Sequence, residues 1–286
     1  MPVADVLEAV QDHIDRAKGY DTARDYENGE HHYPYASAAF RGKFEWILKS
    51  ARANACYTVR SNFTDLVQIQ AWSGKGADAA NALAETLDLE MVIDLAVNEA
   101  WRCGDGFILV WPGKDGALRP WYHRADQVVF KRDPEDPDAF LWLAKLWVDR
   151  DGFGHVSVYY DEYVERWVTR NKIRDNAGAA PSWIVGESEY VQKDDEDGPE
   201  ISYSEVGVSG VPWVHLPFDA SEQGGHGRSI LRDVIPLQDG LNHAVHAIVV
   251  NTEQYAAPLR SLMNYQPDVS IDPKTGQQTK LHLEYY

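Results

Sequence analysis

Cysteine, long apolar runs and basic segments are all scarce in this chain. Two cysteines in 286 residues cannot build a disulfide framework, so we expect Cys56 and Cys103 to be buried thiols in a reducing compartment. No apolar run reaches the ~18 residues needed to cross a membrane. The N-terminus also lacks the basic and apolar segments of a secretory signal. We therefore predict no contact with a membrane.

Positive charge is also in short supply. The chain has 27 Lys and Arg against 45 Asp and Glu, a net charge of −18 and a pI near 4.9. Proteins that hold DNA tightly concentrate Lys and Arg, so we do not expect this chain to bind nucleic acid tightly. One DNA role stays open, because a negative surface repels phosphates and lets a duplex slide past.

The common catalytic motifs are missing as well. The sequence has no G-x-S-x-G elbow, H-E-x-x-H pair, Walker A loop or C-x-x-C pair. Asp105, in a glycine turn before a strand, is the one catalytic candidate, and a turn-stabilising role is favoured because no partner base is in view. We predict no catalytic residue, no metal and no cofactor. A metal-dependent enzyme acting on nucleic acid through Asp105 remains the alternative.

Three other groups of polar residues raise weaker metal hypotheses. Adjacent His31 and His32 point apart, and His243 and His246 form only a pair on a helix, for which a polar face is favoured. The acidic stretch 187–205 is interpreted as a solvated loop, with ion or partner binding as the alternative.

Hydrophobic residues make up 44% of the chain and their spacing predicts an α+β fold. Helical spacing comes first, and a meander of short strands follows between Gln127 and Val168. Gly104, Asp105 and Gly106 join the last of these helices to a β-hairpin. The predicted helices are Ala4 to Lys18 with a possible extension to Tyr26, Phe44 to Cys56, and Asp78 to Leu87 with Leu89 to Cys103, which are two helices or one bent helix. The predicted strands are Leu66 to Trp72, Phe107 to Trp111, Leu118 to His123, Gln127 to Phe130, Leu141 to Val148, Gly154 to Tyr160, Tyr163 to Val168, Val211 to Phe218 and Thr279 to Tyr286.

The longest helical pattern runs from Ser229 to Arg260. It suits either a helix that starts again at Pro236 or one helix kinked there. One side carries an apolar stripe, typical of a core helix or of a helix that packs on a neighbouring subunit. The stripe consists of Leu237, Leu241, Ala244, Val245, Ile248, Thr252 and Tyr255.

Three segments in order carry a resemblance to a known family. They are YENGEH at Tyr26 to His31, EAWRCGDGFILVW at Glu99 to Trp111, and IPLQDGLN at Ile235 to Asn242. The series resembles the portal proteins of long-tailed, siphovirus-type bacteriophages. Another virion component, a head–tail adaptor or minor head protein, is the alternative.

The resemblance implies a ring of usually twelve copies at the portal vertex of the capsid, assembled in the host cytoplasm. Double-stranded DNA would enter and leave through it without sequence-specific binding. The implied partners are the terminase large subunit, a head–tail adaptor, and the major capsid and scaffolding proteins. The implied fold is a wing of helices and antiparallel β meander over 1–225, a stem helix over 226–258 and a partial clip over 259–286. Family members continue into a second stem helix and a crown, so a truncated chain is expected here.

Two sets of site residues follow from the resemblance. The polar residues of the stem helix are candidates for the channel or for a neighbouring subunit: Asp239, Asn242, His246 and Glu253, with Tyr255. The terminal strand would present an unpaired edge to another subunit. Its candidate clip residues are Leu281, Leu283 and Tyr285. We also predict that Val245, Ile248, Thr252 and Tyr255 are exposed in a single chain.

Overall fold

The computed structural model confirms the α+β prediction. The chain divides into two compact units, Met1–His243 and Ala244–Tyr286, and the division falls within the longest C-terminal helix. The structure describes residues 2–38, 41–42, 45–46, 48, 53–64, 73–113, 115–173, 190–192, 200–202, 210–256, 269–271, 274–275 and 278–280.

The helices largely follow the apolar spacing. They are α1 (Pro2–Glu27), α2 (Ala55–Thr64), α3 (Ala77–Thr86), α4 (Leu89–Cys103) and α5 (Val234–Ala256), with 3-10 turns at Ala125–Gln127 and Ile230–Arg232. The extension of α1 beyond Lys18 and the division between α3 and α4 are confirmed. No described helix is long and apolar enough to cross a lipid bilayer.

The helix predicted over Phe44 to Cys56 is helical at Glu45, Trp46 and Leu48, but its predicted end is wrong. Ala53 and Asn54 are not helical, and α2 begins at Ala55. The side chain of Asn54 accepts a hydrogen bond from the backbone N–H of Tyr57 at 3.0 Å, so this residue caps a new helix. The strand predicted over Leu66 to Trp72 lies outside the described residues.

A three-stranded antiparallel sheet forms the centre of the first unit. It consists of β1 (Asp105–Pro112), β2 (Leu118–His123) and β9 (Trp213–Pro217), in the order β2-β1-β9. The predicted β1–β2 hairpin is confirmed, with Phe107 opposite His123. Helix α4 covers one face of this sheet, where Val92 and Ala96 pack on Ile108.

A six-stranded antiparallel sheet lies on the other face. The meander predicted between Gln127 and Val168 is confirmed, and two short strands then pair with its last strand. The strands are β3 (Val128–Arg132), β4 (Phe140–Val148), β5 (Gly154–Tyr159), β6 (Tyr163–Thr169), β7 (Tyr190–Gln192) and β8 (Glu200–Ser202).

The main core lies between the two sheets. Alternate residues of a strand point to opposite faces, so Phe107 and Leu109 of β1 meet the six-stranded sheet while Ile108 meets α4. Leu143, Tyr159 and Val164 are their buried partners. Each such side chain contributes about 1.5–3 kcal/mol when removed from water. The result is three layers, helix on sheet on sheet.

The second unit contains the later part of α5 and a hairpin. Strand β10 (Val269–Ile271) pairs antiparallel with β11 (Gln278–Lys280). The predicted terminal strand therefore begins one residue early and has a partner within the chain at Thr279 and Lys280. This pairing covers one edge of the strand at these two residues. Residues 281–286, which include Leu281, Leu283 and Tyr285, lie outside the described residues.

Candidate functional site

Helix α5 buries a polar face. Gln238, Asn242 and His246 follow one another at four-residue intervals, and each is 1% exposed. The Nε2 of Gln238 donates to the carbonyl of Ala53 at 2.7 Å, and its Oε1 accepts from the N–H of Ala55 at 2.7 Å. One side chain of α5 thereby satisfies two backbone groups at the start of α2.

The same face continues through a chain of hydrogen bonds. Gln238 also donates to the Oδ1 of Asn242 at 3.0 Å, and the Nδ2 of Asn242 lies 2.9 Å from the Nδ1 of His31. His31 in turn packs on the ring of Tyr26, whose hydroxyl donates to Asp239 at 2.7 Å. The bonds of Gln238 to the start of α2 and of Asp239 to Tyr26 of α1 fix the rotation of the first part of α5, up to Asn242, against these two helices.

A neighbouring face of α5 is apolar and exposed. Leu237 is 74% exposed, Ile248 65% and Leu241 41%. Thr252 is also exposed and Val245 is half-buried, while the side chain of Tyr255 lies outside the described residues. A helix that buries polar groups and shows leucine and isoleucine to solvent reverses the usual amphipathic pattern. We call this set, Leu237, Leu241, Val245, Ile248 and Thr252, the outer face of α5.

Asp105 anchors the loop that leads into α5. Its side chain is fully buried at the start of β1. Oδ1 accepts from the Nε2 of His215 at 2.8 Å and from the N–H of Gly227 at 2.8 Å. Oδ2 accepts from the hydroxyl of Tyr20 at 2.9 Å and from the Nδ1 of His226 at 3.0 Å. Four donors from three parts of the chain therefore converge on one carboxylate.

The electrostatics agree with a charged Asp105. Burial alone would raise the pKa of this carboxyl, but the hydrogen bonds from His215 and His226 outweigh burial and hold the pKa well below its ordinary value. Burial lowers the pKa of His215, although Asp105 opposes the shift. Arg132 donates to the Nδ1 of His215 at 3.0 Å, which leaves Nε2 as the protonated nitrogen facing Asp105.

Two glycines let the loop approach this anchor. Gly104 has φ of +102°, a conformation that side chains rarely adopt. A Cβ on Gly227 would lie 1.9 Å from the carbonyl oxygen of Gly104. The Oγ of Ser229 then donates to the carbonyl of Arg102 and accepts from the N–H of Leu231. Backbone contact thus joins the end of α4 to the start of α5.

A buried ionic network ties the supporting helices together. Glu99 of α4 pairs with Arg24 of α1 and lies 3.2 Å from Arg102. Glu27 of α1 pairs with Arg102, and with Arg60 of α2 at 2.7 Å. Each of these two buried carboxylates therefore has two guanidinium partners, and the network joins α1, α2 and α4.

The predicted stem residues fall into three groups. Asn242 and His246 are each 1% exposed within the single chain, and their four-residue repeat with Gln238 is a signal that sequence reasoning missed. Asp239 is half-buried against Tyr26. Glu253 and Tyr255 lie within α5, but their side chains lie outside the described residues.

The metal and catalytic hypotheses fare differently. Among the described residues, no group of three or more His, Cys, Asp or Glu is placed to hold a metal ion. His32 bonds to Asp25 at 2.9 Å, whereas His31 faces Asn242, so the two histidines do point apart. Asp105 anchors the loop before α5, and each of its carboxylate oxygens accepts two hydrogen bonds within the chain. Cys56 and Cys103 are buried, as predicted.

Comparison with known proteins assigns the chain to a family. A search of curated proteins gave no match. The sequence model described as "Phage portal protein, SPP1 Gp6-like" matches residues 15–282, which is nearly the whole chain and includes all three segments that carried the resemblance. This chain therefore belongs to the SPP1 Gp6-like family of phage portal proteins.

Proposed function

We propose that this chain is a subunit of the ring through which a long-tailed phage packages and ejects its double-stranded DNA. The observation that carries the proposal is the outer face of α5, which shows leucine and isoleucine to solvent while the polar face is buried. An exposed apolar face of this kind marks a surface that another protein covers. In a family of portal proteins, the adjacent copy of the same chain is the fitting cover.

The contacts that hold the start of α5 support a structural role for this helix in the ring. A ring repeats one heterologous contact between neighbours, so each copy must present the same face at the same angle. Asp105, the close approach of Gly104 and Gly227, and the bonds of Gln238 all fix the start of α5 on the body of the first unit. A fixed angle allows the repeated contact to close.

We assign the parts of the chain by analogy with the family. On this proposal residues 1–225 form the wing, 226–258 the stem helix and 259–286 the start of the clip. Within the stem, Asp239, Glu253 and Tyr255 remain our candidates for the channel or the neighbouring subunit. Leu281, Leu283 and Tyr285 remain the candidates for subunit contacts in the clip.

The charge of the chain fits a DNA conduit. A duplex must move along the channel in both directions, and a net charge of −18 does not retain phosphates. On this proposal the ring has twelve copies and sits at the portal vertex of the capsid. It docks the terminase large subunit during packaging, the head–tail adaptor afterwards, and the major capsid and scaffolding proteins around it.

Electron microscopy of the purified protein tests the proposal. We expect closed rings with a central opening wide enough for a DNA duplex, about 20 Å across. A protein that stays monomeric at every concentration at which it is soluble would contradict it. Rings whose opening is filled by protein would contradict the conduit but leave the assembly intact.

A further inference from the structure

A groove opens where the two sheets of the first unit diverge. Along β4, β5 and β6 the inner face begins with the apolar row Leu143, Tyr159 and Val164, which packs in the core. The next row on this face pairs Lys145 with Ser157 and Ser157 with Arg166. Because this row is polar, the sheets separate there and leave a groove of about 880 Å³.

The walls of the groove are aromatic and cationic. Trp111 and Trp121 contribute from the three-stranded sheet, and Trp147 from the six-stranded sheet. Arg119, Lys145 and Arg166 also line it, against one carboxylate, Asp115, which pairs with Arg119 at the exposed rim. In a chain with 18 more acidic than basic residues, this local excess of positive charge is unusual.

Lys145 is the central group. It is half-buried, and its Nζ lies 4.9 Å from the ring centroid of Trp147. Burial lowers its pKa to about 8. Among the described residues, no carboxylate pairs with it. A desolvated ammonium that lies over an indole ring, and that no described carboxylate pairs with, is suited to bind an anionic group of a ligand.

The groove also has a free backbone edge among the described strands. Strand β2 is the outer strand of the order β2-β1-β9, and its residues Arg119, Trp121 and His123 line the groove. Trp121 is 47% exposed. An outer strand offers unpaired N–H and C=O groups, to which an extended peptide adds by backbone hydrogen bonds.

From these observations we propose that the groove binds a short, extended, acidic peptide segment of a partner protein. A carboxylate of the peptide meets Lys145, its apolar or aromatic side chains pack on Trp121 and Trp147, and its backbone pairs with β2. A nucleic acid fits less well, because it has no backbone to complete a sheet and the chain as a whole repels a polyanion. The volume also falls in the range of about 300–1,000 Å³ that suits a small ligand.

Selection from a random peptide display library on the intact protein tests this proposal. We expect the selected peptides to share acidic residues alternating with apolar or aromatic ones. Fluorescence anisotropy with the best peptide should then show binding that weakens about tenfold or more for Lys145→Gln and for Trp121→Ala. The same peptide with lysine in place of its acidic residues should not bind.

Matched variants control for folding and for general charge. Lys131→Gln removes an exposed lysine of β3 outside the groove, and Leu83→Ala trims an exposed side chain of α3; both should bind the peptide like the original protein. Circular dichroism checks that Lys145→Gln and Trp121→Ala are folded. The proposal is overturned if selection yields no binding peptides or only basic ones. It is also overturned if neither Lys145→Gln nor Trp121→Ala lowers the affinity for the selected peptides. Lys145-dependent binding of a short thymidine strand in place of peptide would also overturn it.

Discussion

Replacing Leu237 and Ile248 together by serine should separate assembled subunits while the single chain stays folded. Both side chains lie on the outer face of α5, where they are 74% and 65% exposed. Because neither is buried within the chain, their loss leaves no cavity in its own core. The cost to the folded monomer is limited to the lower helix propensity of serine, about 0.5 kcal/mol for each residue.

The effect on assembly follows from the area that a neighbour would cover. Full burial of a leucine or isoleucine side chain is worth about 1.5–3 kcal/mol. Since roughly 70% of each side chain remains to be buried, the pair contributes about 2–4 kcal/mol to each contact between subunits. That energy corresponds to a roughly thirtyfold to several-hundredfold change in the association constant, and it recurs at every contact in a ring.

Mass photometry over a range of concentrations measures the change directly. We expect the double variant to dissociate at concentrations at which the original protein is assembled, with an unchanged far-UV circular dichroism spectrum. The control is Leu83→Ser with Met91→Ser, two side chains of α3 and α4 that are 58% and 52% exposed. Equal assembly of both double variants would refute the reasoning that the outer face of α5 is the contact.

Three further predictions concern the body that holds α5. Asp105→Asn should lower the free energy of unfolding in urea by about 3–5 kcal/mol, because its hydrogen-bond donors then face an amide instead of a carboxylate. The control Asp115→Asn, at an exposed ion pair, should lower it by less than about 1 kcal/mol. Similar losses for both variants would contradict the role of Asp105 as an anchor. Gly227→Ala should lower the free energy of unfolding by about 3 kcal/mol or more, since the new Cβ meets the backbone of Gly104. Gly240→Ala, which has open space around its Cβ, should raise it by about 0.5–1 kcal/mol, and unfolding in urea measures both changes. Burial lowers the pKa of His13 from 6.5 to about 4, so the folded state keeps this ring neutral; its contribution is complete above pH 6.5 and is lost as pH falls from there towards 4. His13→Gln should therefore reduce the loss of stability between pH 7.5 and 5.5 by about 1.4 kcal/mol, and an unchanged pH profile would contradict this assignment.

Most of the described helices and strands could be predicted from local sequence patterns. Alternating apolar residues fixed the strands of the meander because one face of each strand packs in a core, and the interruption between α3 and α4 was also readable. Asn54 was predicted inside a helix, whereas its side chain caps the start of the next one. The start of α2 also depends on a distant residue, because the N–H of Ala55 donates to Gln238, which lies 183 positions further along the chain.

Less of the candidate site could be predicted from the sequence. The carboxylate of Asp105 stood out, but its histidine partners lie 110 and 121 positions away, and nothing in local spacing connects them. The apolar stripe of α5 was predicted from the spacing of its residues. The direction in which it faces was not, because apolar residues are expected to face the core. Only the tertiary bonds of Gln238 and Asn242 turn the polar face inward and leave Leu237 in solvent.

The rate at which a maleimide labels Ile248→Cys tests the central claim most directly. The two natural cysteines are buried and burial raises their pKa, so they contribute little background. We predict that the introduced thiol reacts as a free surface thiol in dissociated chains and about tenfold or more slowly in the assembled protein. Leu83→Cys should react at the same rate in both. Equal labelling of Ile248→Cys in both states would contradict the account, because the outer face of α5 would then remain open in the assembly.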